Sequence, residues 1–133
     1  MPQPMILVID DELPVCEALC DILEMAGFAV TTARNGREGL ETFRRLGAAN
    51  VRLVLLDLLM PLMGGEETLR RLRELDPTVP VLLSSGYDEE EVVKRLGSSQ
   101  LTAGASDVDA RLGFLQKPYN LDTVIARTQE MAR

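Results

Sequence analysis

Three acidic residues in a row, Asp10, Asp11 and Glu12, follow a short apolar run, Met5–Ile9. A second run, Val51–Leu56, ends on a single Asp57. A third, Val79–Leu83, is followed by Ser84, Ser85 and Gly86, and a weaker one, Gly113–Gln116, by Lys117 and Pro118. Carboxylates gathered in a partly buried pocket repel one another unless a cation neutralises them. A donor set made only of oxygens suits Mg²⁺, a hard ion that keeps several waters and binds phosphate oxygens. Lys117 offers a compact positive charge for a carboxylate or a phosphoryl oxygen. Ser85 offers a hydroxyl donor, and Gly86 behind it allows the backbone to approach closely. Together these groups describe phosphoryl transfer onto a carboxylate, with Asp57 as nucleophile and Asp10 and Asp11 as paired metal ligands. Each also has a plainer reading. An acidic pair after a strand can cap the next helix, Lys117 can be a surface residue before a turn-forming proline, and Ser85 can be polar loop.

The elements that must position these residues are legible in the pattern. The apolar runs do not alternate cleanly and are rich in Leu and β-branched residues, as strands buried on both faces of a parallel sheet are. Phe28–Ala33 alternates more and suits a strand nearer an edge. Between the runs lie helical patterns. Leu13–Met25 carries Val15, Leu19, Ile22 and Leu23 inward and stops at Gly27; Arg37–Leu46 carries Leu40 and Phe43. Gly65–Leu75 carries Leu69, Leu72 and Leu75 ahead of Pro77, and Asp88–Leu96 opens on four acids that favour a helix N-terminus. Leu121–Arg133 has Leu121, Val124 and Ile125 inward, with Asn120 as N-cap. Strand and helix alternate five times, which predicts an open α/β sheet with helices on both faces and one domain over residues 1–133. Ligands of such sheets bind beyond the carboxyl ends of the strands, and every strand bearing chemistry delivers it to that edge. Residues 97–113 are long for a helix–strand connection and read as an inserted loop.

Composition removes whole classes of function. The chain has 133 residues, 14 Lys and Arg against 21 Asp and Glu, and a net charge of −7, which opposes a surface that wraps nucleic acid. It contains no histidine, so Ser–His–Asp hydrolysis, His–zinc catalysis and a phospho-histidine donor within the chain are excluded. Cys16 and Cys20 cannot form a disulfide framework and read as small apolar residues on the inward side of a helix. No run resembles a signal peptide or approaches the ~20 apolar residues that span a bilayer, so the expectation is a cytoplasmic domain without membrane contact. Arg44-Arg45, Arg70-Arg71-Arg73 and Lys94-Arg95 are interspersed with Glu and read as solvated helix faces.

Four blocks, ILVIDDE, LVLLDLLMPLMGGEE, PVLLSSGY and FLQKPY, stand in this order and cover essentially the whole chain. They resemble the receiver domain of two-component response regulators. The resemblance implies a (βα)5 flavodoxin-like, doubly wound parallel sheet of strand order 2-1-3-4-5. It implies that Asp57 is the phosphoacceptor, taking its phosphoryl group from a phospho-histidine on a histidine kinase or a histidine phosphotransfer protein. Mg²⁺ would be held by Asp10, Asp11, Asp57 and the backbone carbonyl of Leu59. Ser85 would contact the phosphoryl group, Lys117 would pair with it, and Ser85 with Phe114 would form the switch that reshapes the surface around the Asp88–Leu96 helix and the fifth strand.

Some positions depart from the family pattern. Gly64-Gly65 replaces the usual Asp-Gly, so the third helix loses a cap. Leu59 and Tyr87 flank the phosphoryl position with apolar and bulky groups, which predicts slow hydrolysis of the phospho-aspartate. Ser85 and Lys117 are more widely spaced than usual; the extra residues fall near the common dimerisation face, so the expectation is a monomer or weak dimer. The phrases GEETLRRLRELDP, SSGYDEEEV and GFLQKPYNLDT look like receivers attached to hybrid sensor histidine kinases. An aspartate-nucleophile phosphatase is disfavoured, because the acid it needs two residues after the nucleophile is Leu59 here. A degenerate receiver acting only as an interaction module is disfavoured by the complete set of acids, Ser85 and Lys117. The chain is read as a signalling domain rather than an enzyme.

Overall fold

The computed structural model describes residues 4–58, 60, 63–86, 112–117 and 120–132. Within them the order is β1 (Met5–Ile9), α1 (Leu13–Met25), β2 (Ala29–Ala33), α2 (Gly36–Leu46), a 3-10 turn (Ala48–Asn50), β3 (Val51–Asp57), α3 (Gly65–Leu75), β4 (Val81–Ser85), β5 (Leu112–Gln116) and α4 (Leu121–Met131). The five strands form one sheet in the order β2-β1-β3-β4-β5, every neighbouring pair parallel. This is the flavodoxin-like topology that the family resemblance implies, with β2 at an edge, the place its more alternating residues suit. Leu59, Tyr87, Pro118, the helix expected over 88–96 and residues 97–111 of the expected insertion lie outside the described residues.

Because side chains alternate across a strand, each central strand feeds two apolar layers. Leu7 and Ile9 of β1, Val54 and Leu56 of β3, and Val81 and Leu83 of β4 pack with Leu40 and Phe43 of α2 and Leu69 and Leu72 of α3. Ile6 and Val8, Leu53 and Leu55, and Leu82 point the other way, onto Cys16, Leu19 and Leu23 of α1 and Val124 of α4. The sheet is therefore covered on both faces, which explains why its strands read as continuous apolar runs.

Helix ends follow from local chemistry. α1 closes in a Schellman arrangement in which Gly27 N donates to Glu24 O and Phe28 N to Leu23 O, each at 3.0 Å. Gly27 adopts φ +99°, a conformation that a side chain disfavours. Asn35 caps α2 by accepting from Glu38 N at 2.8 Å, and Asn120 caps α4 by accepting from Asp122 N at 2.9 Å. α3 has no side-chain cap at Gly64, and Glu66 and Glu67 place negative charge at its N-terminus.

β4 begins at Val81 rather than Val79. Pro80 has no N–H to give the ladder, so pairing starts after it, while its carbonyl still accepts from Val54 N at 3.0 Å. Leu112 and Gly113 belong to β5, not to the insertion. A Cβ on Gly113 would lie 2.7 Å from Arg127 and 2.8 Å from Met131, so the glycine lets α4 close onto β5. Leu121 and Leu75 are exposed rather than inward; the buried stripe of α4 is Val124 and Thr128, one helical turn apart.

Leu72 is fully enclosed between α3 and the sheet, so Leu72→Ala is expected to lower unfolding free energy by about 2–5 kcal/mol in urea titration. Met25, almost wholly exposed, provides the contrast, and Met25→Ala is expected to stay within about 0.5 kcal/mol of the parent.

Candidate functional site

Strand parity decides which polar side chains meet at the carboxyl edge. Asp10 continues the parity of Ile6 and Val8, Asp57 that of Leu53 and Leu55, and Lys117 that of Leu115, and all these apolar residues belong to the layer beneath α1 and α4. The three polar groups are thereby brought together from the ends of β1, β3 and β5. Lys117 Nζ lies 3.3 Å from Asp10 Oδ2 and 3.4 Å from Asp57 Oδ2. The two carboxylates are nearly inaccessible, whereas the lysine is partly open to solvent. Lys117 Nζ is also 3.8 Å from Glu12 Oε1.

Backbone contacts fix the frame around these groups. Asp10 N donates to Ala33 O at 3.0 Å, Leu58 N to Ser84 O at 2.9 Å, and Lys117 N to Ser85 O at 2.7 Å, so each strand end is tied to its neighbour. Asp10 Oδ1 accepts from Glu12 N at 2.9 Å, which turns the chain into α1. Gly65 N donates to Leu58 O at 2.9 Å, drawing α3 against the end of β3. A Cβ on Gly65 would lie 2.5 Å from Leu58 Cα and 2.6 Å from Asp57 O, a separation that only glycine permits.

Asp10, Asp11, Glu12 and Asp57 each offer a carboxylate oxygen, and these atoms lie within 4.8 Å of one another. The donors are hard oxygens only and two are nearly buried, so the set fits a small divalent cation such as Mg²⁺ better than a soft metal. Beneath them Cys16 Sγ donates to Asp10 O at 3.3 Å. Burial, and next the charge of Asp10, push the Cys16 thiol up to about 11, so it stays a neutral donor. Cys20, half-buried on the same helix, is also raised, first by burial and then by Glu24.

The structure thus brings Asp10, Asp11, Asp57 and Lys117 together, with Ser85 at the end of the adjoining strand and 2% exposed. In register, Asp57 pairs with Ser84, whereas Ser85 pairs with Gln116. Ser85 carries the parity of Val81 and Leu83, and Phe114 pairs with Leu83 and packs against the layer beneath α2 and α3. Ser85 and Phe114 therefore stand as diagonal neighbours on one face. The residue that sequence reasoning missed is Glu12. Its only signal is its place as third acid after β1, where it reads as charge at a helix start.

Residues 6–129 match the family model of the response regulator receiver domain. The chain belongs to this family. It is 36% identical over 128 residues to the transcriptional regulatory protein CpxR homolog of Haemophilus influenzae, covering 96% of this chain and 50% of that protein. It is 32% identical over 126 residues to the sensor kinase CckA of Brucella abortus, covering 95% of this chain and 12% of that one. The chain thus spans about half the length of the regulators it matches and a small part of the kinase. Among solved structures, the Vibrio cholerae chemotaxis protein CheY4 superposes with a TM-score of 0.80 at 25% identity, covering 97% of this chain and 98% of that one. Receivers are the phosphoacceptor domains of two-component signalling and bind Mg²⁺ at an acidic pocket. No described helix of this receiver is long and apolar enough to cross a membrane.

Gly65→Ala is expected to destabilise the receiver by roughly 1–3 kcal/mol, because backbone rather than a flexible side chain opposes the new methyl group; urea titration measures it. A second expectation concerns pH. The Cys16 thiol is raised from 9.0 to about 11 on folding, so its contribution to stability is intact below pH 9.0 and lost as pH rises through about 11. Unfolding free energy measured from pH 8 to about 11 should therefore fall less steeply in Cys16→Ser than in the parent.

Proposed function

We propose that Asp57 is the residue of this receiver that accepts the phosphoryl group, and that residues 1–133 act as one receiver unit. The observation that carries the reading is the ammonium of Lys117 within 3.4 Å of both Asp10 and Asp57, side chains from three different strand ends. Asp10, Asp11 and Asp57 would hold Mg²⁺ together with the backbone carbonyl of Leu59. When bound, the ion supplies positive charge to offset the phosphoryl oxygens and the crowded carboxylates.

The reaction is a displacement at phosphorus. An oxygen of Asp57 forms the new P–O bond while the P–N bond of a phospho-histidine on the donor breaks, and its electron pair returns to the imidazole, which takes up a proton. The products are an acyl phosphate on Asp57 and a free donor histidine. Lys117 is already beside Asp57 and needs little movement to pair with a phosphoryl oxygen, so its charge is preorganised. Ser85, at the end of the strand next to β3, supplies a hydroxyl donor to a second oxygen. Its shift toward the phosphoryl group frees space on the face it shares with Phe114, and Phe114, half-buried there, is the side chain that moves in response.

The donor in this reading is a histidine kinase or a histidine phosphotransfer protein. For the whole protein we adopt a hybrid sensor kinase, supported by the motif likeness and by the similarity to CckA. Sequence-specific DNA binding by the full-length protein would overturn that assignment without touching the role of Asp57.

Incubation with acetyl phosphate and Mg²⁺ is expected to add the mass of one phosphoryl group to the intact protein, and none to Asp57→Asn. Lys117→Ala is expected to slow labelling by about 10²-fold, the scale for loss of one preorganised charge at a reacting oxyanion. Steady turnover of many phosphate esters by the parent would point instead to a phosphatase.

A further inference from the structure

Glu12 occupies the N-cap position of α1, yet its side chain caps nothing. An N-cap side chain serves the backbone N–H groups two or three positions into the helix, and here Pro14 removes one of them. The backbone of Glu12 is fixed by the hydrogen bond from its N–H to Asp10 Oδ1, 2.9 Å. Its carboxylate instead turns across the carboxyl edge of the sheet, to 3.8 Å from Lys117 Nζ. Lys117 is therefore shared among carboxylates of unequal exposure. The side chains of Asp10 and Asp57 are 2% and 4% exposed, and that of Glu12 is 61% exposed. Attraction to the first two draws the ammonium inward, and attraction to Glu12 draws it toward the mouth.

We propose that Glu12 is a positioning residue that competes for Lys117 at the mouth of the site and so slows phosphoryl uptake. The inference rests on Asp57 being the acceptor. To neutralise an incoming phosphoryl group, Lys117 must share or surrender the carboxylates that hold it. Asp10 and Asp57 are the costlier carboxylates to release, because each is a buried charge that Lys117 shares with the Mg²⁺ proposed above. Glu12 faces water and loses little when released, so it sets the rate without endangering the fold. An ion pair of this exposure is weak and screened by salt, so the effect is modest and sensitive to ionic strength.

The experiment compares the parent, Glu12→Gln and Glu12→Asp by intact mass during labelling with acetyl phosphate at saturating Mg²⁺. Glu12→Gln keeps the shape and removes the charge. Glu12→Asp keeps the charge at the mouth and loses one methylene of reach toward Lys117. Both are expected to raise the maximal labelling rate about 2–5-fold at low salt, the gain vanishing near 1 M salt. Both should also bind fluoroberyllate more tightly by ¹⁹F NMR, a readout that does not depend on turnover. In a Lys117→Ala background, Glu12→Gln should have no further effect. Acceleration by Gln but not by Asp would overturn the proposal, since simple repulsion of the anionic donor would then explain it. Equal rates in all three proteins, slower labelling in Glu12→Gln, or an unchanged Glu12→Gln effect without Lys117 would overturn it as well. Failure of the parent to label at all is a different result, because it sinks the assignment of Asp57 rather than that of Glu12.

Discussion

One ammonium set between two carboxylates that solvent hardly reaches is the interaction on which the carboxyl edge of this sheet depends. A buried carboxylate without a partner is costly by several kcal/mol, and two on neighbouring strand ends also repel each other. Asp10 and Asp57 stand at the ends of adjacent strands, so the central sheet brings two buried charges together. Lys117 offsets them from 107 positions beyond Asp10 in the chain. The ion pairs therefore make the last strand a condition of the site. The backbone N–H of Lys117 donates to Ser85 O, which holds the lysine's strand end against β4.

The arrangement is tolerable because the apolar layers supply what the edge withholds. β1 and β3, which deliver the two buried acids, have side chains enclosed on both faces along almost their whole length. Charge is thus concentrated at the strand ends, where the chain leaves the core. Glycine completes the arrangement at one point. Gly65 allows α3 to start against Leu58 and Asp57 O at a distance no side chain would accept. That approach carries the chain away from β3 directly after the acid. The missing side-chain cap at Gly64 is compensated only partly, by acidic residues in the first turn.

Most of this was legible in the sequence because parallel strands buried on both faces leave a strong signature and end abruptly in polar residues. Asp10, Asp57, Ser85 and Lys117 could be placed at one edge without knowing any side-chain direction. What could not be read were features decided by a single backbone donor or by tertiary contact. Val79 is buried and looks like the start of a strand, but the proline after it delays the ladder to Val81. Leu121 and Leu75 keep helical spacing yet lie beyond the part of their helices that the sheet covers. Glu12 is the instructive case at the site. A third acid after a strand reads as helix-start electrostatics, but in the structure its carboxylate leaves the helix uncapped and turns to Lys117.

Parity also separates chemistry from response. The acids and Lys117 extend the strand faces that pack beneath α1 and α4, whereas Ser85 and Phe114 extend those that pack beneath α2 and α3. A group added to Asp57 therefore acts first on one side of the sheet, while the pair proposed to answer it belongs to the other. The sheet interior between them is close-packed and nearly incompressible, so it is a poor route for a graded displacement. The strand ends are a better one. Ser85 is the last residue of β4, and its carbonyl already accepts from Lys117 N. The backbone of Lys117 is thus tied to the same short stretch that carries the Ser85 hydroxyl. The lysine of the site and the proposed switch are linked through one peptide hydrogen bond.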